Sequence, residues 1–451
     1  MRRLSQIDSL VSYKNRLYLR NPSKIQQIPD FGKDSFEKNW GIVVEKGYLC
    51  RVKKLEHSRL VDEATMEWAA AHRLDDVKRL ALHIPHGIDR AAALRQVEGW
   101  QELRRKVPSW AAVEGIVYPA HLSLEQCSSQ ATATLKATLV EGDTLVDLTG
   151  GMGIDFSFIA ARFAHAIYVE RNEELCALAR HNFACLGLTH CEVVHSTAED
   201  YLATMPEASV IFVDPARRDA HGERVVSLKD CTPDVEALHD TLLAKARRVL
   251  LKLSPMLDWH DAVTRLARVK RVLIVSVAGE CKELLLLLDR DHTASPIVTC
   301  INDRHTFAFT PGEACPPLPL WDGESEHRYL YEPNASVMKA ACHEHLANYF
   351  GLVAVAHNSH LFLGDAPLPD FPGRGFIIDE RLPLTSSLLK RGLPSLGQAN
   401  VTVRNYPMRT EQLRRRLKLK DGGDTYLFAT TAQNGRKWLY RCTKLTVPVV
   451  T

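Results

Sequence analysis

Leu145-Val-Asp-Leu-Thr-Gly-Gly-Met-Gly-Ile-Asp155 is the stretch whose reading decides the fold. A short apolar run ends in a carboxylate, a glycine-rich turn follows, and apolar text resumes at helical spacing from Ile154. Glycine has no Cβ and reaches positive φ, so such a turn lets backbone approach a ligand closely. No Gly-Lys-Ser/Thr follows, which excludes a P-loop. The dinucleotide fingerprint Gly-x-Gly-x-x-Gly is incomplete, because Phe156 stands where its third glycine belongs.

Working outward, strand and helix text alternate. Strands are expected at 145–148, 166–170, 191–195, 210–214, 248–253 and 271–278. Helices are expected at 154–163, 173–186, 235–246 and 259–267. Alternation at these lengths implies an α/β fold, a parallel sheet with helices on both faces. Leu284 to Leu288 and Ile297 to Cys300 lie closer together and suit an antiparallel edge. Upstream, Glu67 to Leu82 and Ala91 to Arg105 have helical spacing, with Pro108 closing that section. The break from Pro311 to Pro319 reads as a domain boundary, and two small α+β stretches follow it, divided by the Pro/Gly text of 365–375. The expected organisation is a basic, poorly ordered extension (1–60), a helical N-terminal region (61–118), a catalytic sheet domain (119–312), and small domains at 326–372 and 373–451. Val61 or Met66 is an alternative start of the folded unit.

The 451 residues include 57 Lys/Arg and 54 Asp/Glu, a net charge of only +3 that hides an asymmetry. Residues 1–60 hold 13 Lys/Arg against 6 Asp/Glu, residues 404–451 hold 11 against 3, and the middle holds 33 against 45. Basic ends on an acidic body suit a polyanion partner. Eleven cysteines without a Cys-x-x-Cys pair argue against a disulfide framework and a zinc knuckle, so no metal is expected and the compartment reads as reducing cytosol. No apolar run approaches the ~20 residues of a membrane span, and the start, Met-Arg-Arg-Leu-Ser-Gln, lacks the apolar core of a secretory signal.

The spacing around Asp147 resembles motif I of class I S-adenosylmethionine-dependent methyltransferases, which have a Rossmann-like sheet. The resemblance covers about 119–311. It implies S-adenosylmethionine as cofactor, with Asp147 facing the methionyl amino group and Thr149, Gly150, Gly151, Gly153 and Asp155 around the loop. Glu170, with Arg171 beside it, stands where the family places an acid on the ribose hydroxyls. Thr197 and Ala198 stand near its adenine contact, with Glu199 a further candidate. Asp214-Pro215-Ala216-Arg217 occupies the catalytic-loop position, and Asp214 also borders the cofactor. Residues 63–451 further resemble a bacterial family of RNA methyltransferases with a ferredoxin-like insert and a THUMP-like domain. Tyr329-Leu-Tyr-Glu-Pro-Asn-Ala335 matches the insert; Val401-Thr-Val-Arg-Asn-Tyr-Pro407 and Leu417-Lys-Leu-Lys-Asp-Gly-Gly423 match the terminal module.

Asp214-Pro-Ala-Arg217 is a variant of the Asp/Asn-Pro-Pro-aromatic loop that methylates exocyclic amines. Arg217 replaces the aromatic, and a guanidinium also stacks on a base or holds a phosphate. The loop resembles that of RNA uridine-5-methyltransferases too. Those enzymes use a cysteine at the end of the next strand, where this chain has Ser254, and an unactivated hydroxyl is a poor nucleophile. Cys231 reads as a small buried residue, Lys252 and Arg218 as solvated charges or as phosphate or base contacts, and His343-Glu-His345 as structural. Arg414, Arg415, Arg416, Lys418 and Lys420 form a basic segment suited to RNA. The expected activity is methylation of a base nitrogen in tRNA or rRNA. The alternatives are a small-molecule or protein methyltransferase, and a non-catalytic RNA-binding protein that keeps the fold.

Overall fold

A computed structural model describes residues 60–119, 127–217 and 228–445. Among these, nine strands form the larger sheet: β1 (Gly142–Asp147), β2 (Phe163–Glu170), β3 (Cys191–His195), β4 (Ala208–Val213), β7 (Ala246–Leu253), β8 (Val269–Val277), β9 (Glu280–Asp289), β10 (Ile297–Asn302) and β11 (His305–Phe309). Two-residue strands β5 (Ala216–Arg217) and β6 (Cys231–Thr232) make a separate ribbon after β4. The sheet order is β11-β10-β8-β9-β7-β4-β1-β2-β3. β1 pairs in parallel with both β2 and β4, so the chain reverses its direction of winding there. A crevice opens beyond the carboxyl ends of strands at such a point. The order and the flanking helices are those of the Rossmann-like methyltransferase sheet expected above.

The apolar run 284–288 does not form an edge. β9 lies between β7 and β8, antiparallel to both. Leu284 to Leu288 are all buried, since a strand covered on both faces and paired on both sides carries an unbroken apolar run. The edge on this side of the sheet is β11, antiparallel to β10, which itself runs parallel to β8.

Upstream, the single helix expected at 67–82 is two, Glu63–Ala71 and Val77–Leu80. Asp76 caps the second by accepting the Arg79 N–H at 3.0 Å. Pro108 opens a short helix (Pro108–Ala111) rather than closing the section, because proline at the first helical position lacks only an N–H that would be unpaired anyway. This region docks through two buried amides. The Gln96 side chain bonds both backbone groups of Tyr118, and that of Asn182 bonds both of Val117, at 2.9–3.2 Å. The helix Gln130–Leu139 has no counterpart among the helices expected from the sequence. Its threonines and Lys136 blur the apolar stripe, although Ser129 caps it.

Beyond the proline break, both small stretches contribute to one seven-stranded sheet. Its strands are β12 (Tyr329–Pro333), β13 (Val353–Ala354), β14 (Phe362–Gly364), β15 (Gly373–Pro383), β16 (Asn400–Val403), β17 (Thr425–Thr431) and β18 (Lys437–Lys444), in the order β13-β14-β12-β15-β18-β17-β16. Glu332, buried in β12, accepts from Arg374 of β15 on one carboxylate oxygen and from Arg404 after β16 on the other. One carboxylate thus ties together the two motif stretches around 329–335 and 401–407. His343 and His360 meet ring nitrogen to ring nitrogen at 3.1 Å, and burial drops His343 to about 4, so this histidine is a neutral packing group. No described helix is long and apolar enough to cross a membrane.

Glu332→Ala should cost about 1–3 kcal/mol in urea unfolding, because two guanidinium groups lose a charged acceptor and regain only water. Hydrogen exchange should accelerate in β12 and around Arg404 together; acceleration at one alone would contradict the shared carboxylate.

Candidate functional site at the β1–β4 crevice

Asp147 ends β1 with only 1% of its surface exposed. Its carboxylate accepts the Thr149 N–H at 2.9 Å and the Thr149 hydroxyl at 3.3 Å. Burial pushes its carboxyl well above the usual carboxylate range, the two Thr149 bonds pull back, and the charges of Asp155 and Asp214 push further up. The Thr149 oxygen also accepts the Asp214 N–H at 2.7 Å. That hydroxyl stitches the turn after β1 to the turn after β4.

The glycine turn is held from behind by β2. The Gly150 N–H donates to Val169 O at 2.9 Å, and Tyr168 donates its phenol to Gly151 O at 2.5 Å. Gly151 sits at φ +54° and Gly153 at φ +82°. A Cβ on Gly153 would meet the Phe183 ring at 2.9 Å, whereas among the described residues one on Gly151 would find only Thr149 O, at 3.8 Å. The turn is therefore packed behind Gly153 and open in front of Gly151.

Glu170 ends β2 and faces this turn, accepting the Gly151 N–H on one oxygen at 2.9 Å and the Asn172 N–H on the other at 2.8 Å. Arg171 is exposed beside it, and its carbonyl faces His195 Nε2 at 3.0 Å. Thr197 caps the helix Ala198–Thr204 by accepting the Asp200 N–H at 3.1 Å, while Ala198 is buried as its first residue. Asp147, Thr149, Gly150, Gly151, Gly153, Glu170 and Asp214 are thus brought together by direct bonds; Arg171 is exposed beside Glu170, and Thr197 and Ala198 lie one strand further out, after β3.

Asp155 turns to a different neighbourhood. Ser128 donates to it at 2.7 Å, and the ammonium groups of Lys136 and Lys252 stand 3.2 and 3.6 Å away. Burial opposes its charge, but the two lysines and Ser128 outweigh that and hold it below the usual range. Lys136, fully buried in the unforeseen helix, also holds both oxygens of Glu283 on β9 at 2.6–2.7 Å. Lys252, expected from the sequence to be a solvated charge or a phosphate or base contact, is instead paired with Asp214. The signal for it was available only across the fold, since residues 136, 155, 252 and 283 share no local pattern.

Pro215 is buried, and backbone pairing sets Arg217 opposite Cys231 in the ribbon. The Arg217 side chain and Arg218 lie outside the described residues. Cys231 is buried, as expected of a packing residue. On the distant basic segment, Arg415, Arg416, Lys418 and Lys420 are exposed around the helix Thr410–Leu417, which Leu413 and Leu417 anchor. Arg414 is half-buried and pairs with Asp421 at 2.6 Å.

A β1–β4 crevice with a strand-end acid, an open glycine turn and an acid ending β2 defines the class I S-adenosylmethionine-dependent methyltransferases. Comparison with known proteins agrees. A ferredoxin-like domain family matches residues 329–372 and a THUMP domain-like family residues 373–444. A solved structure from Porphyromonas gingivalis W83, described as a candidate methyltransferase, is 35% identical and superposes with a TM-score of 0.77 over 85% of this chain and 98% of its own. An uncharacterized S-adenosylmethionine-dependent methyltransferase of Mycobacterium tuberculosis, from strains H37Rv and CDC 1551, is 25% identical over 311 residues, spanning 66% of this chain and 80% of its own. The chain belongs to the class I methyltransferase family with ferredoxin-like and THUMP-like C-terminal domains, and S-adenosylmethionine is its cofactor.

Gly151→Leu should abolish S-adenosylmethionine binding in calorimetric titration while costing only about 1–2 kcal/mol of stability from the left-handed backbone. Affinity should fall as pH drops through the raised Asp147 midpoint, because a neutral carboxyl no longer pairs with an ammonium. Asp147→Asn should weaken binding and flatten that dependence. In the cofactor-free protein the sign reverses: Asp147's contribution to stability is complete at low pH and is lost as pH rises through the raised midpoint.

Proposed function

We propose that this methyltransferase modifies a base nitrogen of RNA, in tRNA or rRNA, in the cytoplasm. The observation that carries the reading is the Thr149 hydroxyl joining the Asp147 turn to the Asp214 turn, which couples the cofactor side of the crevice to the acceptor side. In this reading Asp147, Thr149, Gly150, Gly151, Gly153, Glu170, Arg171, Thr197 and Ala198 hold the cofactor, which supplies an electrophilic methyl group on a sulfonium. Asp155 supports them from below.

Asp214 and the Pro215 carbonyl accept hydrogen bonds from the target amine, Asp214 takes the one proton released on methylation and passes it to solvent, and Arg217 covers the base. Amine methylation needs little covalent help, and most of the rate comes from holding the nucleophile in line with the methyl group. The buried Cys231 and the weakly nucleophilic Ser254 favour this direct route over a covalent route through a pyrimidine ring. The catalytic domain of 119–312 then relies on the terminal module of 373–451 for RNA. Exposed Arg415, Arg416, Lys418 and Lys420 supply phosphate contacts; Arg414 contributes less, being committed to Asp421.

Bulk RNA from cells lacking the gene should accept labelled methyl groups, and nucleoside mass spectrometry should show one methylated purine missing from those cells. An unchanged nucleoside profile would favour the small-molecule or protein reading. Arg415→Glu, Arg416→Glu and Lys418→Glu together should weaken RNA binding across sequences and flatten its log–log salt slope by about 0.7–0.9 for each phosphate no longer neutralised. Cofactor affinity should stay unchanged. Asp214→Ala should lower kcat far more than it weakens cofactor binding; equal losses would move Asp214 to the cofactor.

A further inference from the structure

Asp214 stands at the wall of the crevice with about a third of its side chain open (37%), among other carboxylates. Val213 of β4 pairs with Leu251 of β7, so the next residues, Asp214 and Lys252, lie side by side at the strand ends. The Lys252 side chain is only 12% exposed and donates to Asp214 Oδ2. Across the sheet Lys252 is paired with Leu285 of β9. Glu283, two residues away, therefore shares its face.

The charges alternate in a row from the crevice inward: Asp214, Lys252, Asp155, Lys136, Glu283. Ser128 bridges the inner end, donating to Asp155 and standing 3.2 Å from both Lys136 and Glu283. Burial of ions is costly unless each is paired, and among the described residues the outermost anion of the row, Asp214, has Lys252 as its ion-pair partner. Burial holds the Asp214 carboxyl above the usual carboxylate range; Lys252 pulls it back, Asp155 pushes it further up, and Lys136 pulls it down from further away. Among the described residues Asp147 is a further carboxylate nearby, and Thr149 holds it.

We propose that Lys252 is a positioning residue for methyl transfer, holding the Asp214 carboxylate as an oriented anion that accepts a hydrogen bond from the target amine and takes the one proton the amine gives up on methylation. The row behind it gives Asp155 a second cation, Lys136 at 3.2 Å, so Lys252 is not needed as its sole counter-charge and pairs with Asp214. The inference rests on the reading of Asp214 as facing the acceptor.

The test follows the Asp214 carboxyl carbon by NMR in full-length protein with labelled aspartate, assigned by its loss in Asp214→Asn. In Lys252→Met the Asp214 midpoint should rise by about 1–3 pH units, the usual effect of losing an adjacent opposite charge. Lys252→Arg should leave it near the wild-type value. Glu283→Gln, which removes a negative charge from the far end, should move it the other way, downward. That opposite sign keeps the proposal testable where Lys252→Met fails to fold.

With bulk RNA as acceptor, Lys252→Met should lose kcat by at least about tenfold with cofactor affinity unchanged. The acidic limb of its pH profile should move upward, and Lys252→Arg should recover much of the rate. An Asp214 midpoint unmoved in Lys252→Met, or unmoved in Glu283→Gln where Lys252→Met does not fold, would overturn the proposal. Absence of any methyl transfer by the wild-type protein would instead overturn the RNA reading and leave the carboxyl titration to decide on Lys252.

Discussion

A hydroxyl at the end of β1 carries much of this architecture. Thr149 donates to Asp147 and accepts from the backbone of Asp214, so two loops separated by 65 residues meet at one oxygen. Such a bond forms only if β1 and β4 are neighbours, and they are neighbours because the chain reverses its winding after β3. The same reversal opens the crevice and aligns the strand-end carboxylates on one rim. Asp147 and Glu170 then serve the glycine turn from two sides, Asp147 through Thr149 and Glu170 through the Gly151 N–H. A turn braced this way presents its backbone to a ligand without rearranging, and preorganisation of this kind lowers the cost of binding.

The second dependency lies beneath that rim. Five ionisable side chains alternate in sign from Glu283 to Asp214, three of them nearly or fully buried. Replacing such a row with apolar residues would be neutral or stabilising in many folds, so its presence is weak evidence for a stability role. A role in setting the charge and direction of Asp214 accounts for the row better. It also explains why the helix Gln130–Leu139 carries a lysine on its buried face, where an apolar residue would pack more cheaply.

The C-terminal half has its own keystone in Glu332. The ferredoxin-like and THUMP-like families meet at residue 372, yet β12 and β15 pair directly across that boundary. The two regions therefore share a sheet. Lys339 of the first also donates to Leu257 O at 2.7 Å, gripping the loop that follows β7 of the catalytic sheet. The basic helix Thr410–Leu417 is thus carried on a framework continuous with that loop, which suits a substrate too large to sit in the crevice alone.

The glycine turn and its strand-end acid were legible from Leu145 to Asp155, and the sheet with the acids at 170 and 214 from the strand–helix alternation around it, because those features are local. A strand, a turn needing positive φ and a helix start each leave a mark within a dozen residues. The Glu332 to Arg404 bond, the interior place of β9 and the charged row were invisible for the converse reason: each depends on partners tens or hundreds of residues away. The leucines at 284–288 look the same on an edge as in the middle until the neighbouring strands are known. Lys252 and Lys136 look like solvated charges until Asp214, Asp155 and Glu283 are brought beside them. Local backbone chemistry is written in the sequence; which charges must share a low-dielectric interior is decided only when the strands are laid side by side.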